Sequence, residues 1–345
     1  MEKYGQYRDK GSGIAPFFTI APPPSNIFLA PYHLFLFFFR IPFFIFACAV
    51  WYLIVQWTPP AGVLRKANLW CILGIPGVWW VDIRVDGVRR GSLGKPGGSN
   101  PLPGPGTVIA SSYTSPLDVL YLACIFDPIF TQSYPGSRKV RHLSIEGALA
   151  ACFTLPPPPD QAIPLSQLVA QNPDRVIVVF PESTTSNGRG VLRLTPSLLF
   201  AAKDTSIYPV SLRYTPADVV TPIPGIIEAA RFLWKLCSRQ THCIRVRIGL
   251  PLTLGQQDTA AEIASREASR GRAEGRPYDT NFFDSFQNGG EETDIDGLTP
   301  RERRSLDLVA DSLCRLGRTK TLGLGVKEKA QFVDAWQGKT TKKRR

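Results

Sequence analysis

Hydrophobic positions fall along this 345-residue chain in two regimes. Over 27–57 they run almost unbroken and are dense in aromatics, interrupted by Pro31, His33, Arg40, Pro42 and Gln56. The uncharged part, 41–57, spans roughly 25 Å as a helix, slightly short of a ~30 Å hydrocarbon core. It reads as a marginal single span or as half of a re-entrant hairpin, with Arg40 reaching the headgroups or a protein partner. A soluble core helix fits poorly because no polar face remains, and the stretch lies too far from the start for a cleaved signal. Residues 58–80 keep the same character. Trp70, Trp79 and Trp80 suit a bilayer interface and predict a second short helix beside the first.

From Val81 onward the runs are shorter. Residues 81–85 alternate like an edge strand ending at the Asp86-Gly87 turn. Further strands are predicted at 107–112, 139–145, 176–180, 207–213 and 244–250. Helices are predicted at 116–126, 165–171, 192–203 and 225–236. This order argues an α/β fold, a mixed β-sheet flanked by helices. Residues 1–25 are polar with Gly and Pro and read as a mobile arm. Residues 255–298 lose their aliphatics and read as a disordered linker. Thr299-Pro300-Arg301-Glu302 is a capping box opening a helix to about 316, and a last helix runs over 326–336. The expected organisation is an arm at 1–25, a membrane-anchoring region at 26–80 and an α/β domain at 81–254. The linker and the C-terminal helices with a basic tail, 299–345, complete it.

The net charge of +12 favours anionic partners. No basic helix with interleaved aromatics and no recognisable nucleic-acid module accompanies it, so lipid ranks above DNA or RNA as the partner. Seven cysteines without a Cys-x-x-Cys pair, and only three histidines, argue against a metal site. The odd number, scattered in apolar runs, fits reduced thiols. The last four residues, Lys342-Lys343-Arg344-Arg345, read either as a dilysine retrieval signal or as a basic tail near anionic lipid. Either places the terminus at a cytosolic membrane face.

The chemistry concentrates after one strand. Val176-Ile177-Val178-Val179-Phe180 is an apolar, mostly β-branched run, the pattern of a strand buried on both faces. Pro181 ends its ladder, and Glu182, Ser183, Thr184, Thr185, Ser186, Asn187, Gly188, Arg189, Gly190 and Arg193 follow within thirteen residues. A buried strand opening into so polar a loop sets side chains at the carboxyl edge of a sheet, where open α/β proteins bind ligands. A Gly-rich turn capped by Ser and Asn is the plainer alternative. None of the serines sits in a Gly-x-Ser-x-Gly elbow, which argues against a serine hydrolase.

The block Phe180-Pro181-Glu182-Ser183-Thr184 resembles the Phe-Pro-Glu-Gly-Thr block of the PlsC-type glycerolipid acyltransferases. Upstream, Ser111-Ser112-Tyr113-Thr114-Ser115-Pro116-Leu117-Asp118 resembles their Asn-His-x-Ser-x-x-Asp block, and Ile207-Tyr208-Pro209-Val210 resembles their strand-Pro-Val block. The variant is most similar to fungal lysophosphatidic acid acyltransferases linked to vacuolar protein sorting. The resemblance implies a glycerolphosphate acyltransferase-like fold with an N-terminal membrane-anchoring helix or hairpin. It implies acyl transfer from acyl-CoA, a co-substrate and not a bound cofactor, to a lysophospholipid, most simply lysophosphatidic acid to phosphatidic acid. It implies a place at the endoplasmic-reticulum membrane or a lipid droplet, with the active domain facing the cytosol.

The same resemblance assigns base and orienter to the positions of Tyr113 and Asp118. Tyr113 stands where the family has His. A tyrosine with a pKa near ~10 is a poor base, and an adjacent carboxylate disfavours its anion further. Four alternatives stay open: Tyr113 as a donor to substrate, Asp118 as the base, His142 reaching the site, or loss of catalysis. The last describes a membrane lipid-binding or trafficking protein on the same scaffold. Glu182 is expected to hold an arginine or a backbone turn. Ser183, in a glycine's place, raises the question of a positive φ. Ser115, Thr184, Thr185, Asn187, Gly188, Arg189 and Arg193 complete the substrate-binding set, and Arg213 and Lys203 are weaker candidates. A helix following the loop is expected to offer its N-terminus to phosphate.

Overall fold

The computed structural model describes residues 2–23, 26–59, 62–88, 102–158, 160–202, 204–254 and 298–338. The linker expected at 255–298 (apart from its last residue), the basic tail, Lys203 and most of the Gly/Pro loop near 91–106 lie outside the described residues. In chain order come helices α1 (Ala30–Leu53) and α2 (Val63–Gly74), strands β1 (Val78–Val85) and β2 (Val108–Ser111), and helix α3 (Pro116–Phe126). Next are β3 (Ile129–Ser133), β4 (Lys139–Leu143), α4 (Ile145–Ala151), β5 (Ile163–Pro164), α5 (Leu165–Gln171), β6 (Ile177–Val179) and β7 (Gly190–Val191). The chain continues with β8 (Ile207–Thr215), α6 (Ile226–Cys237), β9 (His242–Ile248), α7 (Pro300–Gly317), β10 (Lys320–Thr321) and α8 (Val326–Trp336).

Eight strands form one mixed sheet in the order β1-β9-β8-β2-β6-β3-β4-β5. Its centre, β8-β2-β6-β3, is parallel, and β9 and β4 run antiparallel to their inner neighbours β8 and β3. The apolar runs of β2 and β6 are buried throughout, as central strands covered on both faces must be. Side chains alternate between two cores. Ile109, Val178, Val210, Leu212, Val246 and Phe130 face a core shared with α1, α2, α3 and α6. Val108, Ala110, Ile177, Val179 and Ile207 face a second one shared with α5 and α7. The result is a sheet between two helical layers.

The long apolar helix α1 lies along the first layer. His33, Phe37, Arg40, Phe44, Ala47, Trp51 and Val55 turn inward at intervals of three or four residues, one helical face. The opposite side exposes Phe35, Phe38, Phe39, Phe43, Ile45, Phe46, Tyr52 and Leu53. Three polar ties hold the helix along its length. His33 Nδ1 meets the Ser238 carbonyl at 2.8 Å, and Trp51 Nε1 donates to Glu146 Oε1 at 2.6 Å. Between them buried Arg40 donates to the carbonyls of Pro76 at 3.0 Å, Cys237 at 3.3 Å, Gln240 at 2.9 Å and Arg239.

Several elements differ from expectation for physical reasons. Residues 2–23 are not a free arm: Phe17 is fully buried, and Tyr7 and Phe18 pack on Phe332 of α8. The helix expected over 192–203 is absent. Arg193 N donates to the Leu324 carbonyl and Thr195 N to that of Pro181, so these groups are committed to other segments, and only a short 3-10 turn, Pro196–Phe200, follows. The phosphate-binding helix N-terminus expected after the loop therefore does not exist. Trp79 and Trp80 belong to β1 rather than to a membrane-side helix. Strand β3 and helix α4 carry no predicted counterpart.

Arg40→Leu leaves four carbonyls without their donor and is expected to cost about 3 kcal/mol. Urea denaturation of the detergent-purified protein measures it; a loss below about 0.5 kcal/mol would show that the tie is dispensable.

Candidate active site

The carboxyl ends of β2, β6 and β8 meet at one edge of the sheet, and the two motif loops fold onto each other there. Ser115 caps α3, its Oγ accepting from Leu117 N at 3.3 Å, and Asp118 reaches back from the third helical position to the cap. Asp118 is fully buried. Its Oδ2 accepts from Thr114 N at 2.7 Å, Ser115 N at 2.9 Å and Thr114 Oγ1 at 3.1 Å, and its Oδ1 accepts from the Tyr214 hydroxyl. Burial pushes its pKa up to about 6, against the pull of these donors.

Glu182 is equally enclosed. Its Oε1 accepts from Tyr113 N at 3.3 Å and its Oε2 from Leu192 N at 3.1 Å. It therefore holds two stretches of backbone rather than an arginine. Burial raises its pKa to about 8, with Asp118 adding to the effect and the two N–H donors and Lys329 opposing it.

The rest of the loop is fastened in the same way. Ser183 takes φ of +60°, where a side chain is unfavourable. Its Oγ donates to the Ser133 carbonyl at 2.5 Å, and its own carbonyl accepts from Gln132 Nε2 at 3.1 Å. Thr185 Oγ1 donates to the Thr221 carbonyl at 2.6 Å and accepts from Lys329 Nζ at 2.9 Å. Lys329 also donates to the Thr185 carbonyl at 2.6 Å, and burial lowers its pKa to about 7. Asn187 Nδ2 donates to the carbonyls of Ala15 at 2.8 Å and Phe18 at 3.0 Å. Gly188 has φ of +70°, and a Cβ there meets Thr114 Cγ2 at 3.3 Å. Thr184 Oγ1 is buried with no hydrogen-bond partner among the described residues. Arg189 and Arg193 are exposed at the rim.

Tyr113 sits beside both carboxylates in sequence but turns its ring into the core. It stacks on Phe180 with ring centroids 4.3 Å apart, on the Cys152 side of the loop. Burial raises its pKa well above the ordinary tyrosine value. His142 is exposed on β4 and lines a different cavity with Arg65, Glu146 and Arg175. The space at the site is small: a cavity of about 20 Å³ bounded by Ser112, Thr114, Glu182, Ser186, Ser211 and Arg213, among others. That is room for about one water.

The structure thus joins Tyr113, Ser115, Asp118, Glu182, Ser183, Thr184, Thr185, Asn187 and Gly188, and leaves Arg189 and Arg193 outside. Sequence reasoning missed Tyr214 and Lys329. Lys329 carried a signal, because it lies on the apolar face of α8 with Phe332 and Val333. Tyr214 carried little, being one more aromatic on an alternating strand.

Fold and site together define a three-layer α/β protein with a pair of enclosed carboxylates at the carboxyl edge of its sheet. The chain is 27% identical over 241 residues to a Schizosaccharomyces pombe protein named "Putative lysophosphatidic acid:oleoyl-CoA acyltransferase"; the match covers 67% of this chain and 79% of that protein. No family model and no solved structure matches.

The raised Glu182 pKa has a defined consequence. The native state holds this proton more tightly than the unfolded chain, so its contribution is full below about pH 4.5 and is lost as pH rises toward about 8. Asp118 acts in the same sense up to about pH 6. The melting temperature is therefore expected to fall between about pH 5 and 7, a window below the Lys329 transition, and to fall less steeply in Glu182→Gln. Equal slopes in differential scanning fluorimetry would contradict the assignment.

Proposed function

We propose that this protein transfers an acyl chain from acyl-CoA to the free hydroxyl of a lysophospholipid, lysophosphatidic acid to phosphatidic acid. The relative's name supports acyltransferase chemistry on a lysophospholipid. The observation that carries the reading is the hydrogen bond from Tyr113 N to Glu182, which binds the two motif loops at one sheet edge.

The reaction forms an oxygen ester, breaks a thioester and moves one proton from the attacking hydroxyl to the departing CoA thiol. Asp118 is the base. Its pKa of about 6 leaves it largely ionised at neutral pH, and the proton reaches it through its hydrogen-bonded partner, the Tyr214 hydroxyl, which is itself buried until the site opens. Tyr214 takes the substrate proton as it gives its own to Asp118, and the reverse sequence delivers it to the thiolate. Thr184 Oγ1, buried and unpartnered, is a donor for the oxyanion of the tetrahedral intermediate. A cavity of about 20 Å³ does not admit a phospholipid. Turnover therefore requires the segments packed on the loop to move: the end of α7, whose Leu313 and Gly317 wall the cavity, with residues 15–18 and α8, which bond Asn187 and Thr185.

The bilayer contact in this reading is one-sided. Helix α1 is tied at His33, Arg40 and Trp51, so it lies along the domain with its outer face in the lipid instead of crossing the bilayer. Exposed Trp70 and Trp234 extend that face onto α2 and α6. Such a half-embedded face fits the cytosolic leaflet of the endoplasmic reticulum and also the monolayer of a lipid droplet.

A second reading, a non-catalytic lipid-binding or trafficking protein, is favoured by one observation: the residue in the expected base position is a buried tyrosine, stacked on Phe180 and turned into the core. Radiolabelled acyl-CoA assays over a panel of lysolipids separate the two. Turnover is expected, rising with pH through about 6 as Asp118 ionises, and falling by about 100-fold or more in folded Asp118→Ala. No turnover above that variant for any lysolipid would leave the second reading.

A further inference from the structure

On the face of the sheet away from the apolar helix α1, arginines collect. Residues 82, 84, 213, 245 and 247 share that face, since Ile244, Val246 and Ile248 alternate toward the α1 side. Register sets Arg84 directly opposite Arg247 and Arg213 directly opposite Arg245. Like charges so placed repel. The end of α7 adds Arg315 and, at its left-handed cap with φ of +50°, Arg318.

Six arginines here meet two carboxylates. Asp82 pairs with Arg247 at 3.1 Å and lies 3.8 Å from Arg84, and Asp86 pairs with Arg315 at 2.7 Å. Arg213 Nη1 donates to the Gly317 carbonyl at 2.7 Å, at the negative end of α7. That helix end is equivalent to about half a negative charge, too little to balance the group. Arg213, Arg245 and Arg318 have no carboxylate partner among the described residues, and the Arg213 pKa is lowered by burial and then by Arg245 and Arg318. Arg84, Arg247, Arg315 and Arg318 line a concavity of about 370 Å³. Arg213 and Gly317 also line the small cavity beside Glu182, so the basic surface continues to the reacting edge.

A guanidinium cluster in a concavity selects phosphate groups, each able to accept paired N–H donors. Lipid headgroups are the wrong source, because the apolar helices lie on the opposite face. A soluble molecule bearing several phosphates and reaching the Glu182 edge fits. We infer that the groove formed by β1, β9, β8 and the end of α7 binds the phosphates of acyl-CoA, its thioester arm running past Gly317 toward Glu182. This rests on the acyl-transfer reading for the identity of the ligand.

The test is equilibrium dialysis of labelled CoA against the full-length protein in detergent, at low and high salt. The probes are CoA, 3′-dephospho-CoA, and phosphatidylcholine vesicles containing phosphatidic acid. Arg245→Ser/Arg318→Gly is the variant; glycine at position 318 suits the positive φ, so the fold is retained. The inference expects CoA to bind about tenfold more weakly to the variant, most clearly at low salt. It also expects dephospho-CoA to bind the wild type more weakly than CoA does, and vesicle binding to be unchanged. Unaltered CoA affinity, or a loss confined to vesicles, overturns it. Turnover with an unchanged KM for acyl-CoA in the variant sinks this site and leaves the acyltransferase reading. Weakened CoA binding in a protein that transfers no acyl group supports the site and sinks the reading.

Discussion

A carboxylate without a bonded cation sits at the centre of this protein. Glu182 takes one backbone N–H from Tyr113 and another from Leu192, and no other group among the described residues hydrogen-bonds it. Its two oxygens therefore join the loop after β2 to the loop after β6, and both to the stretch that β10 and α8 cover. Removing a carboxylate from water without an ion pair is costly, which is why its proton is held so tightly. The same pattern repeats at Asp118, where three donors from its own loop and one hydroxyl from β8 share the load. Neither group adds stability at neutral pH. Two such groups enclosed at one sheet edge are what makes this edge the candidate site.

The surroundings are arranged by side. One helical layer presents phenylalanines and tryptophans on α1, α2 and α6, and each large apolar side chain moved from water into lipid contributes roughly 1.5–3 kcal/mol. On the other face of the sheet, arginines of β1, β8 and β9 gather with Arg315 and Arg318 at the end of α7. Between them lies the edge with Asp118 and Glu182. Under the proposed acyl transfer, a lipid acceptor and a phosphorylated donor would approach this edge from opposite faces of the sheet. The segments packed on the loop at this edge come from both ends of the chain: residues 15–18 through Asn187, and α8 through Lys329.

Much of this was legible from the chain alone where local pattern and burial agree. The proline-led α3 helix, the β6 run and the α7 and α8 helices follow from spacing and caps, and the two motif loops do lie together. What stayed hidden depends on contacts distant in sequence. Residues 2–23 look like a polar arm because their anchors, Tyr7 and Phe17, find their partners far along the chain, at Leu192, Ile223, Leu322 and in α8. Residues 192–200 look helical because the carbonyls that take their N–H groups, those of Pro181 and Leu324, are far away. Tyr113 stands in the motif, but its ring is turned into the core against Phe180; the group that meets Asp118 is Tyr214, 96 residues further on. Alternation along a strand says which face a residue takes, not which side chain across the sheet it will bond.

The central claim is that the proton path runs through Asp118 and Tyr214 and leaves Tyr113 aside. The most direct measurement compares acyl-transfer rates of Tyr214→Phe and Tyr113→Phe under saturating acyl-CoA, both variants checked for folding. The account predicts a loss of about 100-fold for Tyr214→Phe and a rate close to wild type for Tyr113→Phe. A silent Tyr214→Phe together with an inactive Tyr113→Phe would contradict it.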